Sequence, residues 1–498
     1  MASGAEATIT NELSGDRSYK TKGKQMGHYR RPQAPKKEYK REVIKYDNLN
    51  EGDFEMIATT FYGLEDVLAA ELRKLGAKNI DIANRAVSFY GDKGFMYKAN
   101  LCLRTALRIL KPIRRFYIQE QEEYYKFIRG MEWEKLIELD DTFVVDSVVN
   151  THFFNHTQFV SQVTKDGIVD RFNEKFQVRP SVDKEHPTLR INVHIFRHDV
   201  TISLDSSDII LHKRGYRSEV NTAPLKESLA AGIILLSDWE RHIPMIDGMT
   251  GSGTFAIEAA MIANKIPAGY FRKEFGFMKW KDWDSDLYDT IFESMVSKIS
   301  EEQPKITAIE LNAKTAKIAK TNVENAKVED VVTVVNQDFF DFVPEKPRGV
   351  LFLNPPYGER MGETGEKPEV DDDMIAFYKK IGDKLKKDFK GFSVWIITAN
   401  MEAAKFIGLR PSRKITLFNS QLECKLLKFE MYEGTKRTHK FENKAEDEGL
   451  EFEKKAEDKE IESEKKENIS EKKVVEKKSV IKGLEFRKKK EEDSTNDE

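Results

Sequence analysis

Residues 245–253 read MIDGMTGSG, and the stretch that follows, TFAIEAAMIA, completes the pattern that decides the fold. Met245, Ile246 and Asp247 end a short apolar run. Gly248, Gly251, Ser252 and Gly253 make a loop, and Phe255 to Ala263 reads as a helix rich in Ala, Ile and Met. A glycine loop at the carboxyl end of a strand lets backbone approach a ligand closely. The spacing DxxxGSG matches neither GxGxxG nor GxxxxGK[ST], and it lacks the lysine that a triphosphate needs. Asp247, at the strand end, can hold an amino group.

Outward toward the C-terminus the same rhythm of strand, loop and helix repeats, which marks a doubly wound parallel sheet. Lys305 to Ile309 is a second strand ending at Glu310, and Asn312 is a natural N-cap for a helix over Ala313 to Asn325. A carboxylate there can accept both hydroxyls of a ribose diol. Val331 to Val335 is a third strand, after which Asp338 can accept from an adenine amino group with Phe339 beside the ring. Any one of these acids alone reads as a cap or a surface charge; three at successive strand ends read as a nucleoside pocket.

A fourth apolar run, Val350 to Leu353, reads as a buried parallel strand and leads into Asn354–Pro355–Pro356–Tyr357. This turn suits methylation of an exocyclic amine, whose lone pair is delocalised into the base and is a poor nucleophile. The Asn354 side-chain oxygen and the Pro355 carbonyl can accept its two N–H bonds and steady the developing positive charge. Tyr357 supplies a flat face for a base taken out of its stack. In-line placement completes the requirement, and no metal is needed.

Toward the N-terminus, residues 211–232 (LHKRGYRSEVNTAPLKESLAAG) separate this region from an earlier one, with an amphipathic helix between Pro224 and Leu236. The earlier region has α+β character. Strands are predicted over Phe54–Thr60 and Ile80–Tyr90, and helices over Leu64–Leu75 and Tyr97–Leu110, with Gly76 as a stop. A second module follows from about Lys111. It has a strand at Phe143–Val149, a helix carrying Phe159, Val163, Val169, Phe172 and Phe176, and a hairpin over 191–204. Lys165 and Arg171 on that helix, and Lys213, Arg214 and Arg217 after it, are candidate RNA contacts. The plainer reading of each is a solvated surface charge.

The 498 residues allow two or three domains. Residues 17–41 carry ten Lys/Arg against one Glu, with Tyr19, Tyr29 and Tyr39 between them. Residues 436–498 hold eighteen Lys/Arg and twenty Asp/Glu. Neither segment can bury enough apolar surface to offset its ordering entropy, so both are predicted to be disordered. The arm suits a phosphate backbone, and the tail receives no role. Cys102 and Cys424 are too far apart in sequence to suggest a disulfide framework, and no His/Cys cluster suggests a metal. The chain shows no signal-peptide pattern and no apolar run of membrane length, which leads to the expectation of a cytoplasmic protein without a membrane partner.

From about Phe54 to Tyr432 the chain resembles the bacterial THUMP-domain class I methyltransferases of the RlmL/YpsC type, which act on N2 of guanine in 23S rRNA. The residues carrying the resemblance are ATTFYGLEDVLAAEL, VDSVVNTHFFNHTQFVSQVTKDGIVDRF, RPSVD, LRINVHI, LHKRGYR, APLKESLAAG, DGMTGSGTFAIEAAMIA and NPPYGERMGE. The resemblance implies a ferredoxin-like segment (50–110), a THUMP RNA-binding domain (111–208) and a Rossmann-like methyltransferase domain (209–433), between the basic arm (1–49) and the charged tail (434–498) read from composition. It implies S-adenosylmethionine as cofactor and 23S rRNA or a large-subunit precursor as partner. Its map places the methionine end of the cofactor at Asp247, Gly251, Ser252 and Gly253, and the ribose at Glu310. The adenine falls at Asp338 and Phe339, and the target amine at Asn354 to Tyr357. Two departures stand out: Gly248 and Thr250 replace the proline and cysteine of DPxCGSG, and Glu310 stands where aspartate is common. Three alternatives stay open at this stage: a tRNA guanine-N2 methyltransferase, an N6-adenine DNA methyltransferase, and a ribosome-assembly factor without catalysis.

Overall fold

The computed structural model describes residues 52–217, 224–300, 302–357 and 372–432. The predictions for the basic arm and the charged tail concern residues outside these.

Local sequence sets the first elements. β1 (Phe54–Thr60) alternates the buried Met56, Ala58 and Thr60 with less buried neighbours. α1 (Glu65–Leu75) has acids in its first turn and Arg73 and Lys74 in its last. It stops at Gly76, whose φ of 97° is left-handed. The extended stretch predicted over 80–90 is a hairpin, β2 (Lys78–Ala83) and β3 (Ala86–Gly91), with Arg85 at positive φ in the turn. The helix predicted over Tyr97–Leu110 differs more. It is α2 (Lys93–Cys102), capped by Asp92, followed by β4 (Ala106–Tyr117). Buried Ile109 and Ile113 fit a strand paired on both sides, and that pairing overrides the helix-like spacing.

Then come α3 (Gln121–Gly130), β5 (Thr142–Asn150), α4 (Thr157–Phe176), β6 (Ser181–Val182), β7 (Leu189–Phe196) and β8 (Asp199–Asp205). Their sheet runs β2-β3-β1-β4-β8-β7-β5-β6. β4 pairs with β1 on one side and β8 on the other, so the expected boundary at 110/111 lies within a single strand.

The second sheet is built from β9 (Met245–Asp247), β10 (Ile306–Glu310), β11 (Val332–Asn336), β12 (Gly349–Leu353), β13 (Phe392–Thr398), β14 (Arg413–Asn419) and β15 (Leu422–Glu430). Its order is β11-β10-β9-β12-β13-β15-β14, parallel as far as β13, with β15 antiparallel to it. Helices α5 (Glu227–Leu236), α6 (Thr254–Ala263), α8 (Ala313–Asn325), α9 (Asp372–Asp388) and α10 (Met401–Ala404) accompany it, whereas α7 (Ser285–Val296) packs on α2 and the core of the first sheet. Strand order reverses at β9, flanked by β10 and β12, and the crevice at that switch point is where such sheets bind ligands. All five residues of β12 are buried, as a central parallel strand requires.

The stretch between α6 and β10 crosses over to the first sheet. Phe275, Phe277 and Trp280 belong to the first sheet's core, and Tyr97 stacks on Phe277 with ring centroids 4.3 Å apart. The Gly269 N–H donates to the Leu101 carbonyl at 2.7 Å. Arg272 donates to the carbonyls of Ile209 and Lys213, both at 2.8 Å, clamping the segment that joins the two halves. The two sheets are thereby held as one body.

Candidate functional site

A 660 Å³ cavity opens at the carboxyl ends of β9, β10, β11 and β12, within the size range of small-molecule sites. The glycine loop forms one wall. Gly251 (φ 55°) and Gly253 (φ 90°) adopt left-handed conformations that side chains rarely take. A Cβ at position 248 would come within 2.5 Å of Leu353 and 2.9 Å of Phe339, so glycine here follows from the packing of this chain. The other departure, Thr250, has a local role: its hydroxyl donates to Asp247 Oδ2 at 2.5 Å.

Asp247 sits one layer below this wall. It is fully buried and does not line the cavity. Oδ1 has no well-formed hydrogen bond, and burial pushes the carboxyl up to about 7, against the pull of the Thr250 hydroxyl and the Ala256 amide. A buried oxygen without a well-formed hydrogen bond is uncommon in a folded interior. Glu310 does line the cavity. Its two oxygens accept from Gly251 N at 3.0 Å and Asn312 N at 2.9 Å, which fixes the carboxylate while each oxygen keeps a free lone pair for a diol. The longer glutamate side chain is what spans from β10 to the glycine loop. Asp338 lines the cavity and accepts from Phe340 N at 2.9 Å, and Phe339 lies buried beside it.

Four further lining residues had no signal in the sequence reading: Leu311, Phe340, Phe377 and Lys380. Leu311 is 68 % exposed directly after Glu310, an apolar face on the lip where a flat ring can lie. Its position one residue past a strand-end acid could have revealed it. Phe377 meets Phe340 edge-on at 5.6 Å, and Lys380 Nζ lies 3.9 Å from the Phe340 ring centre. Those contacts join α9 to the loop after β11, and only the fold brings them together.

On the amine side, Asn354 and Pro356 line the cavity, whereas Pro355 is buried and Tyr357 faces elsewhere. The Tyr357 hydroxyl donates to Asn354 Oδ1 at 2.6 Å, and its backbone carbonyl accepts from Asn400 Nδ2 at 3.1 Å. Its ring packs on the core of the second sheet, and burial holds the phenol well above its ordinary pKa. The flat face expected of Tyr357 is thus turned inward, because the core offers the ring more apolar contact than the open cavity. Asn354 Oδ1 keeps one lone pair beyond the bond from Tyr357.

The five candidate RNA contacts separate. Lys213 is exposed, whereas Lys165 is half-buried and paired with Asp166. Arg171 is bound by both oxygens of Glu134 at 2.7 and 2.8 Å, and this pairing, shared with Lys175, holds Glu134 at about 2. Arg214 is a correction: it is 2 % exposed and points inward onto Glu258, Leu211 O and Arg104 O. Periodicity says nothing about a loop arginine, so its burial could not be read locally. Arg217 faces the glycine loop. Among the described residues, no group of three His, Cys, Asp or Glu side chains could hold a metal, and no helix is long and apolar enough to cross a membrane.

Three families match in succession: the RlmL ferredoxin-like domain over residues 55–110, the THUMP domain over 119–205, and the RMKL-like methyltransferase domain over 214–428. The ribosomal RNA large subunit methyltransferase K/L of Syntrophotalea carbinolica is 36 % identical over 387 residues. The match takes in 76 % of this chain and 53 % of that protein, so the chain spans about half of that relative's length. A Synechocystis protein whose name assigns it provisionally to the RNA methyltransferases is 33 % identical, with 75 % of this chain and 96 % of that protein aligned. The crystal structure of SMU.472, provisionally classed as a methyltransferase and complexed with S-adenosylhomocysteine, superposes with a TM-score of 0.67 at 30 % identity. It covers 77 % of this chain and all of that one. The cofactor of such methyltransferases is S-adenosylmethionine, and the cavity and the diol-ready Glu310 on its wall fit its ribose. With ferredoxin-like, THUMP and methyltransferase modules in this order and a relative matched almost end to end, the chain belongs to the RMKL-like family of THUMP-domain methyltransferases.

Proposed function

We propose that the protein uses S-adenosylmethionine to methylate the exocyclic N2 amine of a guanine in large-subunit (23S) ribosomal RNA. The observation carrying this reading is the placement of Asn354 and Pro356 on the wall of the same cavity that Glu310, Asp338 and the glycine loop line. When bound, the cofactor supplies an electrophilic methyl group. The chain's own residues then orient and polarise the amine. Asn354 Oδ1, its amide orientation set by the Tyr357 hydroxyl, accepts one N–H of the target, and the Pro355 carbonyl accepts the other. Both acceptors favour a pyramidal nitrogen with its lone pair directed into the cavity, an orientation effect that needs no group of shifted pKa.

The choice of RNA is supported by the THUMP match and by the name of the K/L relative. Exposed Lys213 and half-buried Lys165 are retained as candidate phosphate contacts. Arg214 leaves that set because it is buried, and Arg217 leaves it because its guanidinium is engaged on the glycine loop.

The test is incubation with radiolabelled S-adenosylmethionine and, separately, naked large-subunit rRNA, bulk tRNA and duplex DNA, followed by digestion to nucleosides. Label in rRNA as N2-methylguanosine is the expected result. Label in tRNA or as N6-methyladenine in DNA refutes the substrate, and no label in naked or ribosomal RNA refutes the activity.

A further inference from the structure

Arg217 lies on the segment between β8 and α5. Its guanidinium reaches three side chains: Nε donates to Glu227 Oε1 at 2.9 Å, Nη1 to Ser252 Oγ at 2.5 Å and Nη2 to Thr254 Oγ1 at 2.9 Å. The paired side chains of Arg217 and Glu227 are 11 % and 6 % exposed, so this is an interior arrangement. Ser252 and Thr254 both line the cavity.

Helix stability does not account for it. A cation beside the first turn of α6 opposes the helix dipole, and Glu227 is needed to offset the charge. What the contacts do is fix the Ser252 and Thr254 side chains of a loop whose own bonds, Thr250 to Asp247 and Gly253 N to Thr250 O, leave both hydroxyls to be oriented from outside. Glycine-rich backbone has the most conformational freedom to lose. This loop is tied from three directions: Gly251 N to Glu310, the Ser252 carbonyl to Asn322 Nδ2 at 3.0 Å, and the Ser252 hydroxyl to Arg217. The first two ties come from within the methyltransferase sheet and its helix. The third comes from the segment leading out of the RNA-binding half.

We infer that Arg217 is a positioning residue for the cofactor: through Ser252 and Thr254 it holds the glycine loop in the shape that receives the methionine end of S-adenosylmethionine. The planar fork is essential, since one group must serve a carboxylate and two hydroxyls in fixed directions, and the point charge of lysine cannot. The inference concerns cofactor binding alone and stands whichever nucleic acid is the substrate.

The experiment is calorimetric titration of S-adenosylmethionine and S-adenosylhomocysteine into the full chain without RNA. Wild type, R217M, R217K, S252A/T254V and the triple variant R217M/S252A/T254V are compared. R217M is expected to weaken both ligands about tenfold, the scale of one charge-assisted hydrogen bond, with R217K recovering only part of this. S252A/T254V should reproduce the loss, and adding R217M to it should cost less than about twofold more, because the substitutions interrupt one chain of contacts. Unchanged affinity in R217M overturns the inference, as do additive losses in the triple variant. If a separate titration of R217M with RNA shows weakened binding while its cofactor affinity is intact, the inference is overturned in favour of a direct RNA contact. Should R217M fail to fold, S252A/T254V decides alone: wild-type affinity there overturns the proposal.

Discussion

Replacing Arg214 by methionine separates an interior role from an RNA-contact role at one position. Its guanidinium donates to Glu258 at 3.3 and 3.4 Å, to Leu211 O at 3.0 Å and to Arg104 O at 2.5 Å, with side-chain exposures of 1 % for Arg214 and 0 % for Glu258. Burial works against the charge of Arg214, and Glu258 more than restores it. R214M leaves Glu258 buried with the Tyr216 hydroxyl, at 3.2 Å, as its hydrogen-bond donor and Arg104 as a more distant charge. Removing one partner of such a pair costs about 3–5 kcal/mol, because the remaining charge loses its compensation. In a chain of this size that is a fall of roughly 4–7 °C in melting temperature. R214M/E258M removes both charges and should recover about half of it, leaving about 1–3 kcal/mol for the unpaired Tyr216 hydroxyl and the freed carbonyls. The assay is thermal denaturation followed by circular dichroism, with RNA affinity measured well below the lowest transition. R214M is expected to melt early and bind RNA as wild type does. A variant that melts with wild type yet loses RNA affinity would refute the reasoning.

Three further outcomes follow from the same geometry. Asn354→Ala should lower turnover by about 10²–10³-fold, the scale of a lost transition-state acceptor, while calorimetry shows cofactor affinity nearly unchanged; full activity would sink the assigned role. Glu310→Ala should weaken S-adenosylmethionine far more than it weakens RNA, since it removes both the diol acceptor and the tie to Gly251 N; equal affinity in the variant would reject the ribose assignment. Asp247 titrates at about 7 when folded, against about 3.9 unfolded, so the folded protein binds the extra proton between those values. Stability of the cofactor-free protein should therefore fall as pH rises from about 4 to about 7, by up to about 4 kcal/mol, and level off above that. Asp247→Asn should flatten this slope in urea denaturation, and parallel profiles for the two proteins would exclude Asp247 as its source.

The sequence by itself determined what is written in consecutive residues. A strand–glycine loop–helix unit, two more strands ending in acids and an apolar strand running into NPPY can each be read locally. Their chemistry follows from residue type and from the rule that such sheets bind at strand ends. Tertiary structure decided what depends on residues far apart. Tyr97 to Leu110 has helical spacing, yet β4 begins within it because β1 and β8 offer backbone partners on both sides. Arg214 and Arg217 stand three residues apart in one basic segment, but one is buried on Glu258 and the other holds the glycine loop. The Tyr357 ring turns into the core although NPPY alone suggests an exposed face. Phe340, Phe377 and Lys380 meet only because α9 crosses the end of β11. A local pattern reports which face of an element is apolar; it carries no information about what will cover that face. Pairing, burial of charge and the walls of the cavity are settled by that second fact.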